Sequence, residues 1–254
     1  LTTGAQTPAQ IAGFLTKLGY GNSRMTVLAA MGGPDEARFD GLAQSWAHIV
    51  PAFNTLAVEC IAAPDAALMP RVPGLADDLF QHDGTMTKQE VRAATLAKLM
   101  PMRGALLWDV GCGCGSVAVE WMRGARYARA VGIEPKAERR VFAAANALAL
   151  GAPGLQIIDG EAPDALAGLD APDAIFIGGG LSREVFAACW DALRPLGRLV
   201  VNAVTLESEA VLLALHAEYG GDLVKIAVSR VVPIGRLHGW RPLMPVTQWA
   251  LVKR

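Results

Sequence analysis

Short apolar runs alternate with helical segments along most of the chain after about residue 100. The runs typical of strands cover residues 105–110, 130–133, 155–158, 174–177, 198–204, 223–228 and 246–252. Helical periodicity covers residues 117–123, 137–150, 184–193 and 207–219, with a short turn near 164–166. Fully apolar strands joined through helices are typical of a parallel sheet covered on both faces. Because no helix separates the last two runs, the sequence predicts an α/β fold with a seven-stranded, mostly parallel sheet and an antiparallel edge strand.

Proline and glycine residues between positions 64 and 74 predict a boundary between two parts of the chain. We expect a first unit over residues 1–66, a linker over 67–75 and a larger domain over 76–254. The first unit has a helical pattern after Pro8 and a short strand near 25–28, but few apolar residues to form a core of its own. The chain begins with Leu1 rather than Met, so we expect it to be part of a longer protein.

The charge is unevenly distributed along the chain. The formal net charge of -1 indicates no strong electrostatic preference for a partner. However, none of the 24 acidic residues and six of the 23 basic residues follow Asp222. These six are Lys225, Arg230, Arg236, Arg241, Lys253 and Arg254. The sequence therefore predicts an acidic body and a basic C-terminal stretch.

The four cysteines do not form a disulfide framework, because Cys112 and Cys114 are too close in sequence for ordinary disulfide geometry. We expect a reducing compartment, the cytoplasm, and treat these two cysteines as small packing residues. No cysteine and histidine cluster supports a metal site, so we expect no bound metal. No uncharged stretch has the continuous apolar character of a membrane span, so we expect no membrane partner.

A glycine-rich segment, Leu-Trp-Asp-Val-Gly-Cys-Gly-Cys-Gly-Ser over residues 107–116, leads from a strand into a helix. In a doubly wound sheet the first such turn binds ligands, because glycine lets a ligand approach the backbone. A dinucleotide fingerprint would need glycine at Ser116, and no phosphate-loop lysine follows. The remaining D-x-G-x-G-x-G pattern resembles the first motif of class I methyltransferases. This resemblance implies S-adenosylmethionine as cofactor, S-adenosylhomocysteine as product, and contacts from Asp109, Gly111, Cys112, Gly113, Gly115 and Ser116.

Two further acidic positions fit an adenosine cofactor. Glu134 ends the second strand, 21 residues after Gly113, where a carboxylate can accept hydrogen bonds from both ribose hydroxyls. The alternative is a solvated acid at a strand end. The segment Gly160-Glu161-Ala162 resembles the motif that places an acid against adenine, with Glu161 as the first candidate and Asp159 as the second.

The segment Thr-Met-Thr-Lys-Gln-Glu-Val-Arg, over residues 85–92, predicts a capping box in which Thr87 is the N-cap and Glu90 lies three residues later. Its position ahead of the first strand indicates a segment that covers the cofactor, with Thr87 in contact. Together with residues 107–111, 176–179 and 200–207, it resembles the decarboxylating precorrin methyltransferases of the cobalamin pathway. The resemblance covers residues 76–254.

The first unit resembles the C-terminal end of a tetrapyrrole methylase domain, through residues 7–9, 19–24 and 32–36. Such a domain precedes the methyltransferase in bifunctional members of the precorrin-6Y C(5,15)-methyltransferase family. The resemblance implies methylation of carbon 15 and decarboxylation of the ring C acetate of a precorrin-6B-type tetrapyrrole. It also implies that this chain, without the first domain's cofactor site, does not methylate carbon 5, and that this N-terminal methylase domain is a partner in the full-length protein.

The basic C-terminal stretch could bind the carboxylates of a polycarboxylate tetrapyrrole. Arginine matches carboxylates and tryptophan offers a flat apolar face, so the substrate candidates there are Arg230, Arg236, Trp240 and Arg241. A mobile, solvated basic loop is the alternative. Further substrate candidates are Lys88, Arg92, Gly179 and Asn202, of which Gly179 and Asn202 are also the catalytic candidates.

Other functions stay open from the sequence. The cofactor half would look the same in a methyltransferase acting on RNA or protein, and the basic stretch could contact phosphates, although we expect no nucleic acid partner. A non-catalytic module that binds the cofactor is a third possibility. Alanine-rich helices permit close packing between copies, so we expect a homo-oligomer.

Overall fold

The computed structural model describes residues 1–66 and 68–254. Contacts divide the chain into two units, Leu1–Met69 and Pro70–Arg254. Residue 67, the first of the predicted linker, lies outside the described residues. The end of that linker differs from the expectation, because Leu75 is buried and the amides of Gly74 and Leu75 donate to the Glu120 carboxylate at 2.6 and 3.0 Å. Residues 70–75 are therefore part of the second unit.

The first unit combines one helix with a three-stranded antiparallel sheet. Its elements are α1 (Thr7–Lys17), β1 (Arg24–Ala29), β2 (Ala37–Leu42) and β3 (Asn54–Glu59). The predicted helix and first strand are confirmed, and β1 lies between β2 and β3. The core is small: Ala12, Met25 and Ala43 are buried together.

The second unit contains every strand and helix that the sequence predicts for it, with ends that differ by no more than two residues. Its elements are α2 (Gln89–Leu99), β4 (Leu106–Val110), α3 (Ser116–Gly124), β5 (Arg129–Ile133), α4 (Ala137–Ala149), β6 (Gln156–Ile158), β7 (Ala174–Ile177), α5 (Arg183–Ala192), β8 (Arg198–Ala203), α6 (Leu206–Tyr219), β9 (Asp222–Ile226), β10 (Ser229–Ile234), β11 (Leu237–Pro242) and β12 (Val246–Val252).

Seven of these strands form one sheet in the order β6-β5-β4-β7-β8-β12-β9. The first five in this order are parallel, whereas β12 runs antiparallel to both β8 and β9. This confirms the predicted mostly parallel, seven-stranded α/β sheet and places the antiparallel strand one position inside the edge. The two remaining strands, β10 and β11, form a separate hairpin.

The core of the second unit lies on both faces of this sheet. Alternate residues of β4 point to opposite faces, so Trp108 packs with α5 and α6 while Leu107 packs with α2 and α3. This explains why the strand is apolar throughout, and it leaves Asp109 as a buried carboxyl group in the middle of the molecule. The carboxyl ends of β4, β5, β7 and β8 share one edge, where ligands bind in such folds.

No helix within the described residues is both long and apolar enough to cross a membrane. Within the same residues, no three or more histidine, cysteine, aspartate or glutamate side chains are grouped so that they could hold a metal ion.

Candidate active site

A cavity of about 780 Å³ lies at the carboxyl ends of the parallel strands. Most of the predicted cofactor-binding residues line it together, although they come from four separate segments: Thr87, Gly111, Cys112, Gly113, Ser116, Glu134, Gly160, Glu161 and Ala162. Asp109 and Gly115 lie behind this wall. Among the predicted substrate residues, Lys88, Gly179 and Asn202 also line the cavity.

The glycine loop adopts a backbone that side chains would disturb. Gly111, Gly113 and Gly115 have φ angles of 68°, 56° and 75°, in the left-handed region. A Cβ atom on Gly111 would lie 3.0 Å from the backbone of Gly179, and one on Gly115 would lie 3.1 Å from Ala143. The loop therefore packs tightly against the turn that follows β7 on one side and against α4 on the other. The amides of Gly111 and Cys112 both donate to the Ile133 carbonyl at 3.0 Å, which ties the loop to β5.

Glu134 follows β5 and presents its carboxylate to the cavity from a position only 3% exposed. One carboxylate oxygen accepts a hydrogen bond from the Gly113 amide at 2.9 Å, and the other accepts from the Lys136 amide at 3.0 Å. These two backbone donors fix the carboxylate. Each oxygen retains a lone pair, so the group fits a ligand with two adjacent hydroxyls, as a ribose has.

Asp109 lies directly beneath the loop. Its Oδ2 accepts a hydrogen bond from the Ala118 amide at 3.0 Å, whereas its buried Oδ1 has no donor among the described residues. Burial, and to a lesser extent the nearby charge of Glu134, outweigh the hydrogen bond from Ala118 and raise the pKa of Asp109 to about 7. Because Asp109 lies behind the loop and does not line the cavity, its carboxyl group can act on a bound ligand only through its charge.

The segment that precedes α2 lies over the glycine loop but does not form the predicted capping box. Helix α2 begins at Gln89, its N-cap is Lys88, and no side chain caps it. Glu90 instead accepts a hydrogen bond from Arg230 at 2.8 Å. The prediction that Thr87 and Glu90 cap the helix is therefore wrong, because a guanidinium competes better for the carboxylate than a neutral backbone amide does.

Arg92 is fully buried and does not line the cavity. Its guanidinium donates to Glu120 at 2.5 Å and to Asp77 at 3.1 Å. It also donates to the carbonyl oxygens of Thr87 and Leu75. These bonds occupy the side chain that we expected to meet a substrate, and they fix the segment over the glycine loop instead.

Gly179 and Asn202 both line the cavity. Gly179 lies in the turn after β7, and Asn202 lies on the adjacent strand β8. A Cβ atom on Gly179 would meet nothing within 4 Å, so this side of the cavity is open to a large ligand. The Asn202 amide donates to Thr95 Oγ1 at 2.9 Å and accepts from Gln248 at 2.9 Å. Thr95 and Gln248 were not predicted from the sequence. The signal that could have identified them is a polar residue in an otherwise apolar setting, on a helix face for Thr95 and within a strand for Gln248.

An apolar wall completes the cavity next to Asn202. It was not predicted, because its residues lie at strand ends and connections that are distant in sequence: Val204, Ile226, Val228, Leu243, Met244 and Val246.

The predicted basic candidates lie on the β10–β11 hairpin rather than on the cavity wall. The stretch forms a hairpin rather than an irregular loop, since six residue pairs join the strands from Ser229↔Pro242 to Ile234↔Leu237. Arg230 is paired with Glu90 and Asp77, both at 2.8 Å. Arg236 and Arg241 have no acidic partner in the described part of the chain, and Trp240 is 73% exposed. Val228 and Leu243, at the base of the hairpin, line the cavity.

Comparison with known proteins gives a consistent result. A family model described as a precorrin methyltransferase domain matches residues 78–253. A precorrin-6Y C(5,15)-methyltransferase [decarboxylating] from Sinorhizobium sp is 47% identical over 255 residues, covering 100% of this chain and 62% of that protein. The chain thus spans less than two thirds of that relative. A probable cobalt-precorrin-6B C(15)-methyltransferase (decarboxylating) from Pyrobaculum calidifontis is 36% identical, covering 68% of this chain and 93% of that protein.

A solved structure supports the same assignment. The crystal structure of the C-terminal domain of precorrin-6Y C5,15-methyltransferase from Rhodobacter capsulatus matches with a TM-score of 0.69 and 46% identity. The match covers 73% of this chain and 100% of that one, and it confirms the predicted class I methyltransferase fold. With the family model, the relatives and the structural match in agreement, the chain belongs to the precorrin methyltransferase family.

Proposed function

We propose that the chain methylates carbon 15 of a precorrin-6B-type tetrapyrrole with S-adenosylmethionine and releases the ring C acetate carboxyl group as carbon dioxide. The observation that carries this is one continuous cavity in which an adenosine-type site at Glu134 adjoins an open glycine side and an apolar wall. The Pyrobaculum relative, of which this chain covers 93%, carries a name for both of these reactions.

The cofactor occupies the loop side of the cavity in this proposal. The loop backbone at Gly111, Cys112 and Gly113 lets its amino-acid part approach closely, the start of α3 at Ser116 binds that part, and Glu134 binds the ribose hydroxyls. Gly160, Glu161 and Ala162 border the adenine, while Thr87 covers the site. Asp109 and Gly115 support the loop from behind, and the unpaired Oδ1 of Asp109 attracts the positive charge. When bound, the cofactor supplies an electrophilic methyl group and leaves as a neutral thioether.

The tetrapyrrole occupies the side formed by Gly179, Asn202 and the apolar wall. Gly179 leaves room for a flat ring close to the methyl group, and the wall packs against the ring's apolar face. Lys88 at the rim, with Arg236, Trp240 and Arg241 on the hairpin, provides cations and an aromatic face for the peripheral carboxylates. Arg92 is excluded from this set by its burial, and Arg230 by its two ion pairs.

The residues catalyse mainly by orientation. Holding the ring carbon in line with the methyl group contributes up to about 7 to 11 kcal/mol in favourable systems, and methyl displacement needs no general base. When the acetate loses carbon dioxide, the electron pair of the broken carbon–carbon bond enters the conjugated ring and balances the positive charge of the transferred methyl. The apolar wall excludes water from this step, and Asn202 can donate to or accept from the ring.

The test is incubation of the chain with isotopically labelled S-adenosylmethionine and the precorrin-6B pool, followed by mass spectrometry. The expected product gains one methyl group and loses one carbon dioxide. Gain of two methyl groups contradicts the restriction to carbon 15. No reaction, combined with tight and strongly salt-dependent RNA binding, would instead support the RNA alternative.

The first unit is, in this proposal, the end of a tetrapyrrole methylase domain that continues in the full-length protein. The relative from Sinorhizobium, of which the chain covers 62%, leaves length for such a domain. We further propose that the enzyme works in the cytoplasm, where its four free cysteines stay reduced, and as a homo-oligomer through its alanine-rich helices.

A further inference from the structure

Three polar side chains from distant parts of the chain form a closed ring of hydrogen bonds behind the cavity. Thr95 lies on α2, Asn202 on β8 and Gln248 on β12, where Asn202 and Gln248 are direct cross-strand partners. The Gln248 amide donates to Thr95 Oγ1 at 3.0 Å and to Asn202 Oδ1 at 2.9 Å. The Asn202 amide donates to Thr95 Oγ1 at 2.9 Å, which closes the ring.

This ring is buried at a cost to stability. Thr95 and Gln248 are both 0% exposed, and Gln248 Oε1 has no hydrogen-bond donor within residues 1–66 and 68–254. A buried acceptor without a donor lowers stability, whereas apolar side chains of the same shape would avoid that loss. The polar side chains at these positions therefore need an explanation other than packing.

The direction of the hydrogen bonds fixes how the Asn202 amide is turned. The Thr95 hydroxyl donates its only proton to the Val91 carbonyl at 2.8 Å, so its oxygen is left as an acceptor toward the two amides. Only the nitrogen of Asn202 can face such an acceptor, while its oxygen faces the Gln248 donor. Asn202 thus lines the cavity with one amide hydrogen and one lone pair that have no partner in the described residues.

From this geometry we infer that Thr95 and Gln248 are positioning residues that hold the Asn202 amide in one orientation toward the tetrapyrrole during methyl transfer. The inference rests on the proposed function, because Asn202 is there assigned to the substrate side of the cavity. Neither positioning residue lines the cavity itself.

The kinetic test uses Gln248→Met and Thr95→Val, which remove the polar groups and keep the volume. We expect kcat for methyl transfer to fall by about tenfold to a hundredfold, since a displacement of about 1 Å has effects of this size, while Kd for S-adenosylmethionine stays unchanged. Thr247→Val is the matched control: Thr247 is the neighbour of Gln248 on β12, is also buried, and bonds to Glu209 at 3.0 Å without a hydrogen bond to Asn202. Its kcat should match that of the unmodified chain.

A double variant separates positioning from general loosening. If Gln248 acts through Asn202, then Gln248→Met should cause no further loss of kcat in an Asn202→Ala background. The inference is overturned if the kcat loss of the double variant is the product of the two single losses. It is also overturned if Gln248→Met and Thr247→Val lower kcat equally, or if Asn202→Ala keeps full activity.

A substrate-free measurement separates failure of this inference from failure of the proposed function. The two side-chain amide protons of Asn202 can be identified in NMR spectra by their loss in Asn202→Asp. The Asn202 amide proton that is hydrogen-bonded to Thr95 Oγ1 should exchange slowly with solvent in the unmodified chain and in Thr247→Val. In Gln248→Met and Thr95→Val its exchange should be at least tenfold faster. Unchanged exchange in these two variants would overturn the inference even if precorrin turnover is observed; absence of precorrin turnover would defeat only the proposed function.

Discussion

Asp109 carries the most strongly perturbed carboxyl group at the cofactor site. Its carboxyl is buried in the central strand and lacks a donor at Oδ1, so burial favours the neutral acid and brings the pKa to about 7. The carboxyl is therefore mostly protonated at pH 6 and mostly ionised at pH 8. A cationic ligand interacts favourably with the ionised form only.

Affinity for S-adenosylmethionine should consequently rise with pH. If the ionised carboxylate is the binding-competent form, Kd falls by up to about tenfold between pH 6 and pH 8. Isothermal titration at several pH values measures this, and Asp109→Asn provides the comparison, because it should show the flatter profile that comes from the ligand's own titration. Parallel profiles for both proteins would count against a role for Asp109.

The Glu134 carboxylate should contribute directly to cofactor affinity. Loss of hydrogen bonds to a charged group costs about 1.5 to 3 kcal/mol, so Glu134→Ala should weaken binding by roughly tenfold to a hundredfold. Glu138→Ala removes an exposed acid of α4 nearby and should leave Kd unchanged. Titration calorimetry with both variants decides the matter, with circular dichroism to show that each is folded.

At the level of single residues, the sequence predicted those side chains whose position the backbone topology determines. The loop glycines and Glu134 follow directly after strands, so their convergence is a consequence of a parallel sheet. Arg92 could not be placed in this way. Its burial depends on Asp77 and Glu120, which are distant from it in sequence and show no periodic relation to it.

At the level of elements, α2 is held by one buried arginine. Arg92 joins α2 to α3 through Glu120 and to the preceding segment through backbone oxygens. Removal of one partner leaves the other charge buried and unpaired, which costs far more than an exposed pair contributes.

Glu120→Ala should therefore lower the free energy of unfolding by about 3 to 5 kcal/mol. The exposed Arg183–Glu218 pair is the matched comparison, and Arg183→Ala should lower the free energy of unfolding far less, because solvent screens an exposed pair. Urea denaturation followed by fluorescence gives both values. Similar losses in the two variants would mean that the Arg92 cluster is not a structural anchor.

The β10–β11 hairpin presents the unpaired basic residues. Arg236→Ala and Arg241→Ala should each raise KM for the tetrapyrrole several-fold, because a carboxylate partner is lost, and leave Kd for the cofactor unchanged. Lys225→Ala is the control, since Lys225 belongs to the same basic stretch but is already bound to Glu209 at 2.9 Å. Steady-state kinetics at low and moderate salt measure the effect; an unchanged KM in both arginine variants would remove the hairpin from the substrate site.

The two strands of this hairpin, β10 and β11, were not predicted from the sequence. The sequence of the hairpin contains prolines and glycines that favour a loop: Pro233, Gly235, Gly239 and Pro242. An isolated two-stranded ribbon nevertheless tolerates proline, because backbone amides on its outer edges have no strand partner to bond. Strands β2 and β3 were missed for a related reason: they are only half-buried and lack a continuous apolar run. The seven core strands were predictable because both faces of their sheet are covered.

At the scale of the whole molecule, the two units differ greatly in core size. The second unit has two apolar clusters on opposite sheet faces, whereas the first has a single small cluster around Met25. A small core supplies too little burial to offset chain entropy.

A fragment of residues 70–254 should therefore fold and bind S-adenosylmethionine as tightly as the whole chain, and a fragment of residues 1–69 should be largely unfolded. Thermal denaturation and calorimetry on the two fragments provide the measurement. A cooperative transition in the shorter fragment, or loss of binding in the longer one, would contradict this division of stability.

The position of β12 between β8 and β9 has a consequence for synthesis of the protein. The five parallel strands emerge from the ribosome first, and the edge of β8 stays unpaired until Val246–Val252 is available. At about 5 to 20 residues per second, the stretch from Ala203 to Val246 takes roughly 2 to 8 s to make. An apolar unpaired strand edge can recruit other chains. The nascent chain is therefore most prone to aggregate during these seconds, and β12 both ends that interval and delivers Gln248 to the ring that holds Asn202.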